Sequence, residues 1–169
     1  MKAKRIKSIK CPCFIVLILV LGLVVPSIPS FAAWDNINKE IQAKIKTMNL
    51  DTINTVIGEK KGRRISFTPA NLSTVAQMFD IEQGQVIGVM ETELAGDESS
   101  LPPGKFVIYL KKEFGQWKGY AAANGQVVAE AARVTVEQKF NKDTNKPQFI
   151  AEGFGFRLPL NSILIMFFF

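Results

Sequence analysis

The dipeptide Asn124-Gly125 constrains the fold of this chain more than any other short segment, because residues that suit β-strands lie on both sides of it. Both central residues of a type I′ turn have positive φ, and Asn-Gly adopts this turn most readily. We therefore predict a hairpin between residues 116–123 and residues 126–138. A two-residue loop also determines the register in which the two strands pair.

The register expected for this hairpin places large rings opposite small side chains. The expected cross-strand pairs are Ala123 with Gln126, Tyr120 with Ala129, and Trp117 with Ala132. Beyond Glu130 apolar and polar residues alternate, as they do in a strand with one buried face. Residues 127–129 are apolar on both faces, which indicates either a β-bulge or a sheet centre that is covered on both sides.

Other strands are predicted on both sides of the hairpin. Residues 105–113 follow a Pro-Pro-Gly turn and are rich in aromatic and β-branched residues, which favours a strand. Residues 85–94 and 148–158 are predicted to be strands for the same reason. The apolar end of the chain, residues 162–169, has three interpretations that stay open: a strand buried on both faces, an exposed sheet edge, or a partner-binding tail.

Two helices are predicted before the sheet. Ile37 and Ile41 belong to a series of apolar residues at helical spacing, so residues 34–50 are expected to form an amphipathic helix. A threonine followed by Pro69 has the pattern of an N-cap with proline at the first helical position, which predicts a helix over residues 69–80.

These elements predict an α+β domain over residues 33–169. Its two helices are expected to pack on one face of a mainly antiparallel sheet of about four to six strands, lying within residues 85–160. About 140 residues are enough for one domain with a core that needs no disulfide bonds.

The N-terminal segment has the residue order of a secretory signal peptide. Residues 1–10 contain five basic and no acidic residues, an apolar run follows over 11–25, and small residues precede a cleavage site after Ala32. The alternative is an uncleaved membrane anchor, but the run is shorter than the ~20 residues that a spanning helix requires. We expect residues 1–32 to be removed and the remainder to be exported to the periplasm of a bacterium or to the extracellular space.

A nucleic-acid partner is not predicted. Five of the 21 basic residues lie in the predicted signal peptide, which leaves 16 basic against 15 acidic residues in the mature chain. Residues 73–90 resemble a helix-turn-helix DNA-binding motif in their apolar spacing. However, Asp80 occupies the turn position that usually has glycine, and Gly84 falls inside the second helix. A strand from residue 85 is therefore preferred.

The side-chain inventory excludes several kinds of catalytic and metal site. The chain has no histidine, and both cysteines precede residue 14, so Ser/His/Asp and Cys/His nucleophiles and the usual zinc, haem and iron-sulfur ligand sets are absent from the mature chain. Residues 141–152 nearly match a calcium loop but have Lys146 where glycine is required. We predict no metal, no cofactor and no catalytic group.

One carboxylate pair provides the enzymatic alternative. Glu91 and Glu93 are spaced to project from one side of a strand, and paired carboxylates can catalyse hydrolysis if they are buried. A carboxylate-dependent hydrolase would require a pocket that gathers these acids with Tyr109 or Tyr120. A polar loop follows the pair, so an exposed strand end is the preferred interpretation.

The function expected from these observations is that of an exported, non-enzymatic binding module. Its partner is expected to be a protein, a peptide or an envelope component. The candidate partner-binding residues are Trp34, Trp117, Tyr109, Tyr120, Phe154 and Phe156. A second alternative, besides the hydrolase, is an envelope-associated or outer-membrane protein attached through the apolar C-terminus. Membrane contact is otherwise expected only from the signal peptide.

Overall fold

Antiparallel strands make up most of the chain in the computed structural model, which describes residues 34–72, 78–93, 101–138, 146–160 and 163–169. These residues belong to one unit, Ala32–Phe169. The described helices are α1 (Asp35–Ile45) and α2 (Met78–Glu82), with 3-10 turns at Thr52–Asn54 and Ala151–Gly153. The described strands are β1 (Val56–Lys60), β2 (Arg63–Pro69), β3 (Gln85–Thr92), β4 (Gly104–Glu113), β5 (Gln116–Ala123), β6 (Gln126–Glu130), β7 (Arg133–Gln138), β8 (Gln148–Ile150), β9 (Gly155–Leu160) and β10 (Ile163–Phe168).

The described strands form two sheets. The larger has the order β1-β2-β3-β4-β5-β6, and the smaller has the order β7-β10-β9-β8. Every pairing between neighbouring strands is antiparallel. The α+β class and the mainly antiparallel sheet are thus confirmed. The larger sheet begins at Val56, before the predicted range, because the hairpin of β1 and β2 contributes two further strands.

The Asn124-Gly125 turn forms as predicted, since the two residues have φ values of 51° and 74°. The register changes beyond the turn. Ala123 pairs with Gln126 as expected, but a shift between Ala121 and Ala122 leaves Val128 as an extra residue in β6. Of the two interpretations of the apolar run 127–129, the structure therefore has the β-bulge.

The bulge corrects the other two cross-strand pairs. Tyr120 lies opposite Glu130 and not opposite Ala129, because the extra residue moves the partner strand by one position. Trp117 pairs with Lys112 of β4. It has no partner in β6, since that strand ends at Glu130 before it reaches Ala132.

The main hydrophobic core lies between the two sheets. Phe67 of β2 contacts Phe156 of β9 and Phe167 of β10, with ring centroids 5.1 and 5.2 Å apart. Alternate residues of β10, including Ile163 and Ile165, point into this core. Because β10 lies between β7 and β9, the apolar end of the chain forms a central strand and is not a sheet edge.

A second, smaller cluster lies on the opposite face of the larger sheet. Ile108 and Leu110 belong to the main core, whereas Tyr109 between them belongs to the second cluster, so the two clusters use opposite faces of β4. Helix α1 covers this cluster with Ile37 and Ile41, which are one helical turn apart and buried. The layers are therefore helix, six-stranded sheet and four-stranded sheet.

The second predicted helix is wrong at its start. Pro69 is the last residue of β2 and pairs with Gly88 of β3. A strand end tolerates proline, and the next residue, Ala70, donates its N–H to the Ile87 carbonyl at 2.8 Å, so the β-ladder continues where a helix was expected. Residues 73–77 of the prediction lie outside the described residues, and α2 occupies only Met78–Glu82.

The two helices contribute to different clusters. Ile81 of α2 packs in the main core, whereas α1 packs on the second cluster. Contrary to the prediction, the two helices therefore do not cover the same face of the larger sheet. Helix α1 is also shorter than predicted, since it ends at Ile45. The strand predicted from residue 85 is confirmed as β3, and the one predicted over 148–158 is divided by the 3-10 turn into β8 and β9.

Candidate functional site

The predicted partner-binding residues lie mostly inside the protein. Tyr109, Tyr120, Phe154 and Phe156 have between 0% and 5% of their surface exposed, so this structure offers them no contact with a partner. Trp34 and Trp117 are partly exposed and pack against different clusters. The six residues do not come together as one surface.

The two tyrosines belong to the cluster under α1, which we call the tyrosine cluster. Its buried members are Ile37, Ile41, Val86, Tyr109, Tyr120, Ala122 and Val127. The Tyr109 hydroxyl donates a hydrogen bond of 2.5 Å to Glu40 of α1, and Lys111 donates to both oxygens of the same carboxylate at 2.7 and 2.8 Å. Gly84 packs so closely against this hydroxyl that a Cβ atom at residue 84 would lie 1.9 Å from it and would clash.

The environment of these groups shifts their pKa values in opposite directions. Burial raises the pKa of Tyr109, and its hydrogen bond to the Glu40 carboxylate raises it further. Burial also raises the pKa of Glu40, but the hydrogen bonds from Lys111 and Tyr109 outweigh it, and the net pKa is lowered. Both groups therefore keep their ordinary charge states at neutral pH, and the interaction joins α1 to β4.

Tyr120 has an equivalent arrangement with Glu113. Its hydroxyl donates to a Glu113 carboxylate oxygen at 2.9 Å. Burial raises the pKa of Tyr120, with a further contribution from that hydrogen bond. A phenol held neutral in this way is a poor general base at neutral pH, so the cluster is suited to stability and not to proton transfer.

Helix α1 also closes the edge of the larger sheet at β6. Asn38 is buried, and its side-chain oxygen accepts from the Val127 N–H at 2.8 Å while its amide donates to Gln126 at 2.9 Å. Gln42 donates to the Gly125 carbonyl at 3.2 Å. The helix thus satisfies a backbone donor of an edge strand that a second chain could otherwise pair with.

Among the described residues, none covers the other half of the same sheet face. The side chains of Lys105, Val107 and Tyr109, at every second position of β4, project from one face of the sheet. The cross-strand row of residues that contains Lys105 therefore lies on the same face that α1 covers around Tyr109. In that row Ser66 pairs with Glu91, and Glu91 pairs with Lys105. A concavity of about 450 Å³ lies over this region. Its lining residues are Arg64, Ser66, Glu91, Thr92, Glu93, Gly104 and Lys105.

We call five of these residues the polar patch: Arg64, Ser66, Glu91, Glu93 and Lys105. Lys105 and Glu91 form an ion pair at 2.7 Å with side chains 66% and 55% exposed, so hydration leaves it little net energy. The Glu93 N–H donates to the Arg64 carbonyl at 3.1 Å, which places these two residues side by side on neighbouring strands. In the part of the chain that the structure describes, neither side chain forms an ion pair.

The hydrolase alternative requires a cluster that the structure does not assemble. Glu91 and Glu93 line one concavity, as that alternative expects. Tyr109 and Tyr120 lie instead in the tyrosine cluster under α1. The four groups therefore share no pocket.

The sequence contains a local pattern that corresponds to one strand of the polar patch. Arg64, Ser66 and Thr68 alternate with buried Ile65 and Phe67 along β2, which is the pattern of a strand with one polar face. That pattern could not show that β2 pairs with β3 and β3 with β4, because these pairings join segments that are far apart in the chain.

Across residues 34–72, 78–93, 101–138, 146–160 and 163–169, no three or more His, Cys, Asp or Glu residues are grouped so that they could hold a metal ion. The near-match to a calcium loop falls partly on residues 139–145, outside this part of the chain. Among the described helices, none has the length and apolar character needed to cross a membrane.

Comparisons with protein-family models, with curated proteins and with solved structures find no match to this chain.

Proposed function

We propose that this protein is an exported, non-enzymatic binding module that holds a protein or peptide partner at the polar patch. The observation that carries the proposal is the concavity of about 450 Å³ on a sheet face that is otherwise covered by α1. Its volume lies within the range of ligand sites. The compartment is the periplasm or the extracellular space, as the order of residues in the N-terminal segment predicts.

The charges of the polar patch favour a peptide or protein over other classes of partner. The Arg64 guanidinium can donate two parallel hydrogen bonds to a carboxylate of the partner, and Glu93 offers a carboxylate beside it. Two acids and two bases are among the described residues that line the concavity, so these residues give it no excess of positive charge for phosphate groups. None of these lining residues has an aromatic ring on which a base or a sugar could stack.

Exposed Ile57 extends this surface. It pairs with Ser66 across β1 and β2 and is 56% exposed, so an apolar side chain lies next to the charged row. A polypeptide carries both apolar and charged side chains, and it can match this combination. The C-terminal segment is not proposed as the partner-binding surface, because β10 is a central strand of the smaller sheet.

The binding proposal can be tested by photo-crosslinking in cells. A photoreactive amino acid replaces Ser66 in the full chain, and a matched chain carries it at Thr135, a partly exposed residue of β7 in the other sheet. We expect a discrete protein or peptide adduct from position 66, which the double variant Arg64→Glu with Glu93→Lys reduces, and none from position 135. Equal labelling at both positions, or no adduct at 66, would refute the proposal.

Export is tested separately by fractionating the cells and determining the N-terminus of the protein by mass spectrometry. We expect a chain that begins at Ala33 outside the cytoplasm. An intact N-terminus on a functional cytoplasmic protein would contradict this part of the proposal.

A further inference from the structure

The turn between β4 and β5 presents an aromatic ring to solvent. Phe114 is fully exposed, although phenylalanine is normally among the more buried residues. The exposed large hydrophobic residues of the described chain are Ile53, Ile57, Phe79, Phe114 and Val128. Phe114 is the most exposed of these, and it occupies the tip of a two-residue hairpin loop.

The backbone at Phe114 is also unfavourable for that residue. Its φ is 50°, in the left-handed region where asparagine and glycine are accommodated far better than a bulky side chain. In the two other two-residue hairpin turns that the structure describes, the equivalent positions are Lys61 and Asn124, which are polar. Neither folding nor solubility benefits from the exposed Phe114 ring, so the strained backbone at this position indicates a function for the side chain.

Other apolar side chains lie at the same end of β4. Lys112 binds Glu82 of α2 at 2.7 Å, and its Nζ atom is 5.6 Å from the centre of the Trp117 ring. Phe79, which is 64% exposed, lies one helical turn before Glu82. Lys112 therefore joins the hairpin that carries Phe114 and Trp117 to the helix that carries Phe79. The polar patch lies at the other end of this ten-residue strand, ~30 Å away.

The lysines near the tip are neutralised by partners within the protein. Their ion pairs are Lys111 with Glu40, Lys112 with Glu82, and Lys118 with Glu130. Among the described residues, these three lysines therefore add little net positive charge at this end of the molecule to attract an anionic surface. We expect the attraction to come from the apolar rings.

We propose that Phe114 inserts into the interfacial region of a lipid bilayer and holds the protein against a membrane with the polar patch directed away from it. A stable contact with a folded partner buries about 800 Å² on each side, which a two-residue loop cannot supply. A lipid interface has no fixed shape and accepts a single projecting ring.

Tryptophan scanning with neutral vesicles tests the proposal on the full chain. Phe114→Trp is compared with Asn124→Trp, which puts the same side chain at the first position of another two-residue turn. With phosphatidylcholine vesicles, we expect the emission added by Phe114→Trp to move to shorter wavelength and to be quenched by brominated lipid. The emission added by Asn124→Trp should do neither. The same quenching at both positions, or at neither, would overturn the proposal.

A second variant separates membrane contact from folding. Phe114→Asn relieves the backbone strain, so the thermal unfolding midpoint should stay the same or rise, while partition into vesicles should fall about tenfold. The partition should also change little with added salt, since the nearby charges are paired. Partition that survives Phe114→Asn, or that needs anionic lipid and disappears in salt, would contradict the proposal. So would a photoreactive group at 114 that captures a protein in cells while vesicles leave it unaffected.

Discussion

The two halves of one sheet face differ in what they do with polar groups. In the half under α1, buried polar groups are paired: the Tyr109 and Tyr120 hydroxyls have carboxylate partners, and Asn38 uses both ends of its amide. In the open half, Arg64 and Glu93 stay hydrated and form no ion pair with any described residue. An unpaired polar group lowers the stability of the fold when it is buried but not when it is hydrated. Only the open half can therefore keep charges available for a partner.

The largest expected effect that sharpens this comparison is alkaline unfolding. The chain has two tyrosines, and both lie in the tyrosine cluster with raised pKa values. A group whose folded pKa is above its unfolded value of 10.0 loses its stabilising contribution as the pH rises beyond that value. We expect tyrosinate absorbance to appear only together with loss of the fold, as followed by circular dichroism. Tyrosinate in a protein that is still folded would contradict the burial of the cluster.

The next effect comes from the contact of α1 with the sheet. Ile41→Ala removes a side chain with 0% exposure, so it should lower the free energy of unfolding by ~2–5 kcal/mol. The matched change in the open half, Ile57→Ala, affects a side chain that is 56% exposed and should cost less than ~0.5 kcal/mol. Chemical denaturation measures both values. Similar losses would remove the distinction between the two halves.

A smaller loss is expected from the buried amide. Asn38→Ala leaves the Val127 N–H without its acceptor and should cost ~1–3 kcal/mol. The control Ser66→Ala changes a hydroxyl in the open half and should lie within ~0.5 kcal/mol of the parent protein. If hydrogen exchange at Val127 is as slow in Asn38→Ala as in the parent, the hydrogen bond does not protect this edge.

The smallest effect concerns Glu40 at acid pH. Its pKa is lowered from the ordinary value of 4.5, so its contribution to stability is present above that value and is lost as the pH falls below it. Glu40→Gln should therefore reduce the dependence of stability on pH below 4.5 relative to the parent protein. Equal pH profiles for the parent and Glu40→Gln would mean that the Lys111–Glu40 interaction adds nothing beyond a surface ion pair.

Local sequence was a sound guide where the structure depends on adjacent residues. The positive φ values at Asn124 and Gly125, the strand from Gln85 and the amphipathic α1 all follow from short-range patterns. The local sequence was misleading at Pro69, where a helix start was predicted, because a threonine-proline pair suits a helix start and a strand end equally well. Pairing with β3 decided between the two, and this pairing is not visible in the local pattern.

The amino-acid sequence by itself determined three properties: the chain turns back at Asn124-Gly125, Ile37 and Ile41 share a helix face, and histidine-dependent chemistry is absent. Only the tertiary structure decided which rings are interior, where the bulge at Val128 lies, and that Arg64, Glu93 and Lys105 line one concavity. The physical reason is that a strand pattern gives two faces but not the layer that covers each one. That layer comes from residues far away in the chain.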